Sequence, residues 1–399
     1  MKKSLFVTSV MAAAGMLCAA DYPVEKCNTV KPWRQSRVSH KDLKAPTYRF
    51  VTAEQAIEFK SPAIVTRQFR ETPAVPSWKL DTEFTGVVFK VKGDGSAEWG
   101  AITVCGGPLE ENIFFFPLKD TNWKEYRVAF ADMAPANDFV INFSKLSSVD
   151  FSAIRIGDRW RIREGNLIRD KFSFMVKDIR LTDDKFPEAK KYKAAKFAPV
   201  IEKMRSGKPV LILCVGDSIT AGTGLKKRFE ERYGVKLEGM LRKHFKNEKI
   251  RVRVTAVGGA HTFDSIGWLQ RDLAGETPDV VTMLIGYNNR SSRQGTDMYT
   301  KQLQLWIDRV CSATAGKAAF VLIPTVPGVP RFRSQMDMAA ATRKLAEKNG
   351  CAVADIDKWI LSLAPMTYRT KYLADTVHPN PAGHLKYAEI LFNVFTGRK

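Results

Sequence analysis

The 399-residue chain is short of several things at once. It has five histidines and six cysteines, with no CxxC pair and no Cys/His spacing of the kind that holds zinc. A metal site built from soft or imidazole ligands is therefore not expected, and neither is an organic cofactor. Past residue 20 no apolar run reaches the roughly 18 residues that a membrane-spanning helix needs, so no transmembrane segment is expected. There is no internal repeat, no low-complexity tract and no G-x-S-x-G elbow, which argues against the α/β-hydrolase arrangement. Acidic residues are scarce as well: 42 Asp and Glu stand against 63 Lys and Arg, a formal net charge of +21. Such a surplus admits an anionic partner. From Lys226 to Arg253 there are 11 Lys or Arg and 4 Glu, but they read as one amphipathic helix and a following edge, without the interleaved aromatics of single-strand binders. No nucleic-acid partner is expected.

The composition that is present, 45% hydrophobic and 26% charged, suits a globular chain long enough for two domains. Residues 1–20 pair Lys2 and Lys3 with a short apolar run and end in Cys18-Ala19-Ala20, the pattern of a signal peptide cleaved before Asp21. A lipid anchor on Cys18 is the alternative, disfavoured by the large Leu17 before it. The mature protein is expected to be secreted or periplasmic. Five cysteines follow the leader, so at most two disulfides can form; Cys214 reads as a buried free thiol, with Cys311–Cys351 and Cys27–Cys105 as the candidate pairs.

Between about Tyr48 and Leu181 the text runs in short alternating stretches broken by Gly, Pro, Asn and Asp. Val87, Phe89 and Val91 alternate with Val88, Lys90 and Lys92, and Phe172, Phe174 and Val176 alternate with Ser173, Met175 and Lys177. This predicts an all-β sandwich over residues 21–185. The stretches DTNWKEYRVAFADM and FSFMVKDIRLTDD resemble jelly-roll modules that accompany carbohydrate-active enzymes. Trp99, Trp123 and Trp160 are expected in its core rather than on a sugar-binding face. Residues 186–209, rich in Lys and Ala with Pro at 187, 199 and 209, read as a linker. Residues 210–399 then alternate apolar runs with helical stretches, which predicts a mostly parallel sheet covered on both faces, a three-layer α/β sandwich.

Four short motifs in that second half carry chemistry. Gly216-Asp217-Ser218 follows the first parallel strand, where a serine stands in the crevice in which open α/β sheets bind ligands. Val257-Gly258-Gly259 follows the second strand and Gly286-Tyr287-Asn288 the third, each placing amide donors at a strand's carboxyl end. Asp375-Thr376-Val377-His378-Pro379 lies ahead of the last helix. Three residues across a turn let the Asp375 carboxylate reach one ring nitrogen of His378 and leave the other to face a nucleophile. His384 reads as structural, and His40, His244 and His261 as lacking an acidic neighbour at useful spacing.

These motifs, in this order, resemble the SGNH (GDSL-like) hydrolase family over about Pro209 to Phe395. The resemblance implies Ser218 as nucleophile and first oxyanion donor, Gly259 and Asn288 as the other donors, and His378 with Asp375 as base and orienter. Two departures stand out. The block around Thr255-Ala256-Val257 leaves Gly258 or Gly259 as the donor, and Asn289 replaces the aspartate common after the Gly-x-Asn asparagine, so that loop's supporting hydrogen bonds need another origin. Taken with the β module, the likeness to two-domain carbohydrate esterases implies hydrolysis of O-acetyl esters on a glycan through an acyl-serine intermediate. The alternatives are a lipase or lysophospholipase, and a glycan-binding protein whose hydrolase domain is vestigial. A chain beginning near Phe186 is expected to hydrolyse small esters on its own, unless the sandwich packs against the catalytic face.

Overall fold

The computed structural model describes residues 21–25, 33–35, 47–61, 66–69, 84–96, 99–107, 110–135, 148–152, 172–188, 190–291, 294–331 and 335–398. Residues 1–20, His40, Cys27 and Trp160 lie outside these, as does the side chain of Cys105, so the leader and the Cys27–Cys105 pair are not described.

The N-terminal region is two antiparallel sheets. One runs in the order Thr47–Val51, Ala56–Ser61, Phe172–Thr182, Gly86–Lys92, Lys124–Ala129, with Asp21–Glu25 also paired to Phe172–Thr182. The other runs Ala134–Pro135, Glu110–Pro117, Trp99–Gly107, Ser148–Ser152, Thr66–Phe69, Trp33–Gln35. Period-2 alternation sorts side chains between two faces of a strand. Val87, Phe89 and Val91 from the first sheet and Ile102, Val104 and Phe116 from the second share one apolar core. Phe116 lies 5.7 Å from both Phe89 and Phe174, ring centre to ring centre.

The tryptophans separate. Trp99 packs, half-buried, against the core of the other half of the molecule. Trp123 stands outside the sandwich core, held by its indole N–H on Glu54 at 2.8 Å and capped by the Lys177 ammonium 4.0 Å from the ring centre. The indole N–H is a donor that favours a polar partner, and here that partner is the Glu54 carboxylate.

The C-terminal half is a five-stranded, all-parallel sheet in the order Ile250–Val254, Val210–Gly216, Val280–Leu284, Ala319–Ile323, Ala352–Val353. The three central strands are apolar but for Thr282 and are buried throughout, as expected of strands covered on both faces. Leu213, Val215, Val281 and Met283 face a layer that includes Trp306 and Ile307 of the helix Thr296–Ala313. Ile212, Cys214 and Val321 face the other layer, with Leu237 and Leu241 of Tyr233–Phe245 and Leu391 of Pro381–Thr396. Numbered along the chain, the strand order is 2-1-3-4-5. It reverses direction at the strand Val210–Gly216, so the crevice of an open α/β sheet opens at that strand's carboxyl end.

The two halves share a core. Ala101, Ile113 and Phe115, on the face of the second sheet turned away from the sandwich, pack with Ile266, Trp268 and Leu269, and Phe115 meets Trp268 at 6.0 Å. A methyl group on Gly267 would lie 2.7 Å from Phe115, so the helix Thr262–Gly267 approaches the sheet as closely as a glycine allows. The Arg309 guanidinium donates to three successive carbonyls, those of Ala131, Asp132 and Met133. The sandwich thus rests against the helix that follows the glycine turn of the second strand.

Cys214, Cys311 and Cys351 are free thiols. The expected Cys311–Cys351 bridge is not formed: Cys311 is buried on its helix and Cys351 is half-buried against the same cluster. Burial pushes both thiols up, to about 11 and about 12, which holds them protonated and unreactive.

Candidate active site

The strand Val210–Gly216 ends in a turn that places Ser218 at the first position of the short helix Ser218–Ala221. Asp217 caps that helix: its carboxylate accepts the Ile219 N–H at 3.0 Å. The first N–H groups of a helix have no partner within it, so the Ser218 N–H is free of the helical ladder. Asp217 is buried, and burial raises its carboxyl to about 6 against the lowering by Ile219 N–H and by the nearby His378 and His261 rings.

His378 arrives from the opposite end of the chain. Leu373 and Pro379 form an antiparallel bridge, and Ala374 N–H donates to His378 O at 2.8 Å, closing the loop between them. Within it, one Asp375 oxygen accepts the N–H groups of Val377 and His378, each at 2.7 Å. The other lies 2.7 Å from His378 Nδ1. Burial raises the Asp375 carboxyl, but the His378 N–H, the His378 ring and the Val377 N–H outweigh it and hold it below the usual carboxylate range. With an ionised carboxylate on Nδ1, that nitrogen carries the proton. His378 Nε2 is then an acceptor, and it lies 2.9 Å from Ser218 Oγ. Hydroxyl, imidazole and carboxylate form one hydrogen-bonded chain.

The glycine turn and the asparagine helix close the third side. Ala260 N–H donates to Val257 O at 3.2 Å, and Gly259, at the third position of that turn, has φ of 76°; a Cβ is costly there. Among the described residues, neither the Gly258 nor the Gly259 N–H donates to a backbone carbonyl. Asn288 is the second residue of the short helix Tyr287–Ser291 that follows the third strand, and its amide spans the other two motifs: Nδ2 donates to Ala260 O at 3.1 Å and reaches Asp217 at 3.4 Å. All the residues expected in the site therefore converge on the carboxyl end of the sheet.

The residue in the place of the family's aspartate explains itself. Asn289 is fully buried, and its side-chain oxygen accepts both the N–H and the hydroxyl of Thr262, each at 3.3 Å. Its amide donates to Gln294. The accepting oxygen does what a carboxylate would, without burying a charge.

Two histidines need separate comment. His261 does have an acidic neighbour. It caps the helix Thr262–Gly267, its N–H donating to Asp264 at 2.8 Å and its ring lying 3.5 Å from the same carboxylate. Asp264 follows at the N3 position, where a capping box places its acid, and that spacing is present in the sequence. His384 is buried; Nδ1 accepts the Tyr233 N–H at 3.2 Å, and burial pushes the ring down to about 3, so it stays neutral and structural.

Residues 214–386 match the GDSL-like Lipase/Acylhydrolase family. No curated protein matches the chain. Among solved structures it is similar to LAE5, an alpha/beta hydrolase enzyme from the metagenome of Lake Arreo, at 22% identity over 48% of this chain and 99% of that one, with a TM-score of 0.39. It is similar to the acetylxylan esterase Axe2 of Geobacillus stearothermophilus at 19% identity, over 47% and 94%, with a TM-score of 0.39. The third is a two-domain esterase, CEX, active on acetylated mannans, at 18% identity over 52% and 55%, with a TM-score of 0.43. The C-terminal half of this chain is a GDSL-like, SGNH-type hydrolase domain, preceded by an antiparallel β domain.

Proposed function

We propose that the chain is a secreted or periplasmic serine esterase that removes O-acetyl groups from a carbohydrate. The observation that carries the chemistry is the unbroken relay from Ser218 Oγ through His378 to Asp375, at 2.9 Å and 2.7 Å. In this reading His378 Nε2 takes the Ser218 proton as Oγ adds to the ester carbonyl. The Ser218 N–H, a glycine N–H from Gly258-Gly259 and the Asn288 amide receive the developing oxyanion. The imidazolium then gives its proton to the departing sugar hydroxyl, and water repeats the sequence to release acetate and free Ser218. Asp375, already ionised, stabilises the imidazolium.

The carbohydrate half of the reading is supported by the β domain docked beside the helix layer of the catalytic half. The test is acetate release from a panel of acetylated polysaccharides, with p-nitrophenyl acetate and a long-chain ester beside them. Acetate should appear from at least one polysaccharide, and the long-chain ester should be the poorer of the two small substrates. Turnover of long-chain esters alone would replace this reading with the lipase one.

A further inference from the structure

The loop that follows the nucleophile's helix has a composition the hydrolytic chemistry does not use. Residues 222–230 line a pocket of about 540 Å³. Gly224 stands against the Asp375–His378 loop: a Cβ built on it would lie 3.0 Å from Ala374 Cβ and 3.5 Å from His378 Cβ. The segment that lines the pocket therefore packs against the loop that carries His378. Its outer wall carries Lys226, Lys227 and Arg228 in succession, followed by Phe229, whose ring is 65% exposed. The Arg228 and Arg232 guanidiniums lie 4.7 Å and 5.2 Å from that ring's centre.

Residues 226–232 carry four Lys or Arg and two Glu. Glu230 comes only to 3.9 Å of Lys227, with both side chains about 70% exposed, and Glu231 accepts the Lys227 backbone N–H at 3.2 Å. Cations around an exposed ring suit a sugar that presents an apolar face and a carboxylate. The whole chain's charge of +21 points the same way.

We propose that this pocket binds an anionic sugar, a uronate unit of the acetylated polysaccharide, beside the ester that Ser218 attacks. The inference rests on the esterase reading above and narrows its substrate to an acidic glycan. Lys226 and Lys227 hold the carboxylate, and Phe229 lies under the ring.

The experiment compares two polymers with the full chain: chemically acetylated polygalacturonate, and an acetylated neutral glucomannan. Raising NaCl from 0.1 to 1 M shortens the screening length from about 10 Å to about 3 Å. Wild-type kcat/KM on the polyuronate should fall about tenfold over that range, and on the glucomannan should stay within about twofold. The double variant K226E/K227E should lower the ratio of polyuronate to glucomannan activity by about tenfold at low salt. The ratio needs no assumption about the fraction of folded protein, and the wild-type salt series needs no variant. A ratio unchanged by the charge reversal, or a polyuronate rate indifferent to salt, overturns the proposal while the glucomannan activity leaves the esterase reading standing. Turnover of p-nitrophenyl acetate with neither polymer deacetylated overturns the carbohydrate reading itself.

Discussion

At the scale of single residues, the site divides its work between a charge that stays and one that should not be there. Asp375 is held below the usual carboxylate range by the N–H groups around it, so it is ionised whenever His378 is neutral. Asp375→Asn removes the carboxylate that orients the His378 ring, so kcat should drop about 10²- to 10⁴-fold. Asn288→Ala removes an oxyanion donor and should cost about a hundredfold in kcat with little change in KM. Steady-state kinetics of both variants check these roles, and either variant working at the wild-type rate would contradict them.

Asp217 behaves in the opposite sense, because burial raises its carboxyl to about 6. A raised acid gives stability that is present below its unfolded value of about 3.9 and is lost as pH rises through 6. Two units correspond to about 3 kcal/mol over that window. Urea unfolding at pH 4.5 and 7.5 should show this loss in the wild type, and Asp217→Asn should lose less between the two. Equal losses in both would mean that the aspartate is not paying a burial penalty.

At the scale of elements, Asn289 ties the helix after the glycine turn to the short helix Tyr287–Ser291 that carries the oxyanion asparagine. Asn289→Ala leaves the buried Thr262 N–H and hydroxyl without their acceptor, at about 1–3 kcal/mol. Its melting temperature should fall, and Asn289→Asp, which restores an acceptor, should retain more activity than Asn289→Ala. Loss of equal size in both variants would mean that Asn289 acts through its amide on Gln294 instead.

Much of this was legible in the sequence because the chemistry sits in contiguous motifs at strand ends. Gly216-Asp217-Ser218 and Asp375 to His378 each build their geometry within a few residues, so spacing alone forecasts a hydrogen bond such as Asp375 to His378 Nδ1. The alternation of Val87, Phe89 and Val91 likewise marks a strand without help from its neighbours. What the sequence hid was long-range. Trp123 on Glu54 joins residues 69 apart, and Arg309 reaches carbonyls 176 to 178 residues away. The His261–Asp264 capping box is local, yet its spacing carries meaning only once a helix is known to begin at Thr262.

At the scale of the whole molecule, the β domain and the hydrolase domain are joined by Phe115, Ile113 and Arg309 rather than merely strung together. This favours the alternative to a freely separable catalytic domain. A chain beginning at Phe186 would expose Ile266, Trp268 and Leu269, beside the helix that follows the glycine turn. It should be less stable and lose activity on small esters as well as polymers. Phe115→Ala should cost about 3–5 kcal/mol in the full chain. Calorimetry should show its effect on the transition of the hydrolase domain, and a change confined to the β domain would show that the two are uncoupled.

The central claim is that Ser218 forms the covalent intermediate, and serine-directed labelling tests it most directly. The full chain, treated with an alkyl phosphonate ester and measured by intact mass and peptide mapping, should gain one adduct, located on Ser218, as its p-nitrophenyl acetate turnover disappears. Ser218→Ala should take up no label and lose at least about a thousandfold in kcat with its fold intact. Inactivation with the label on another residue, or an alanine variant that keeps a tenth of the wild-type rate, would contradict the account.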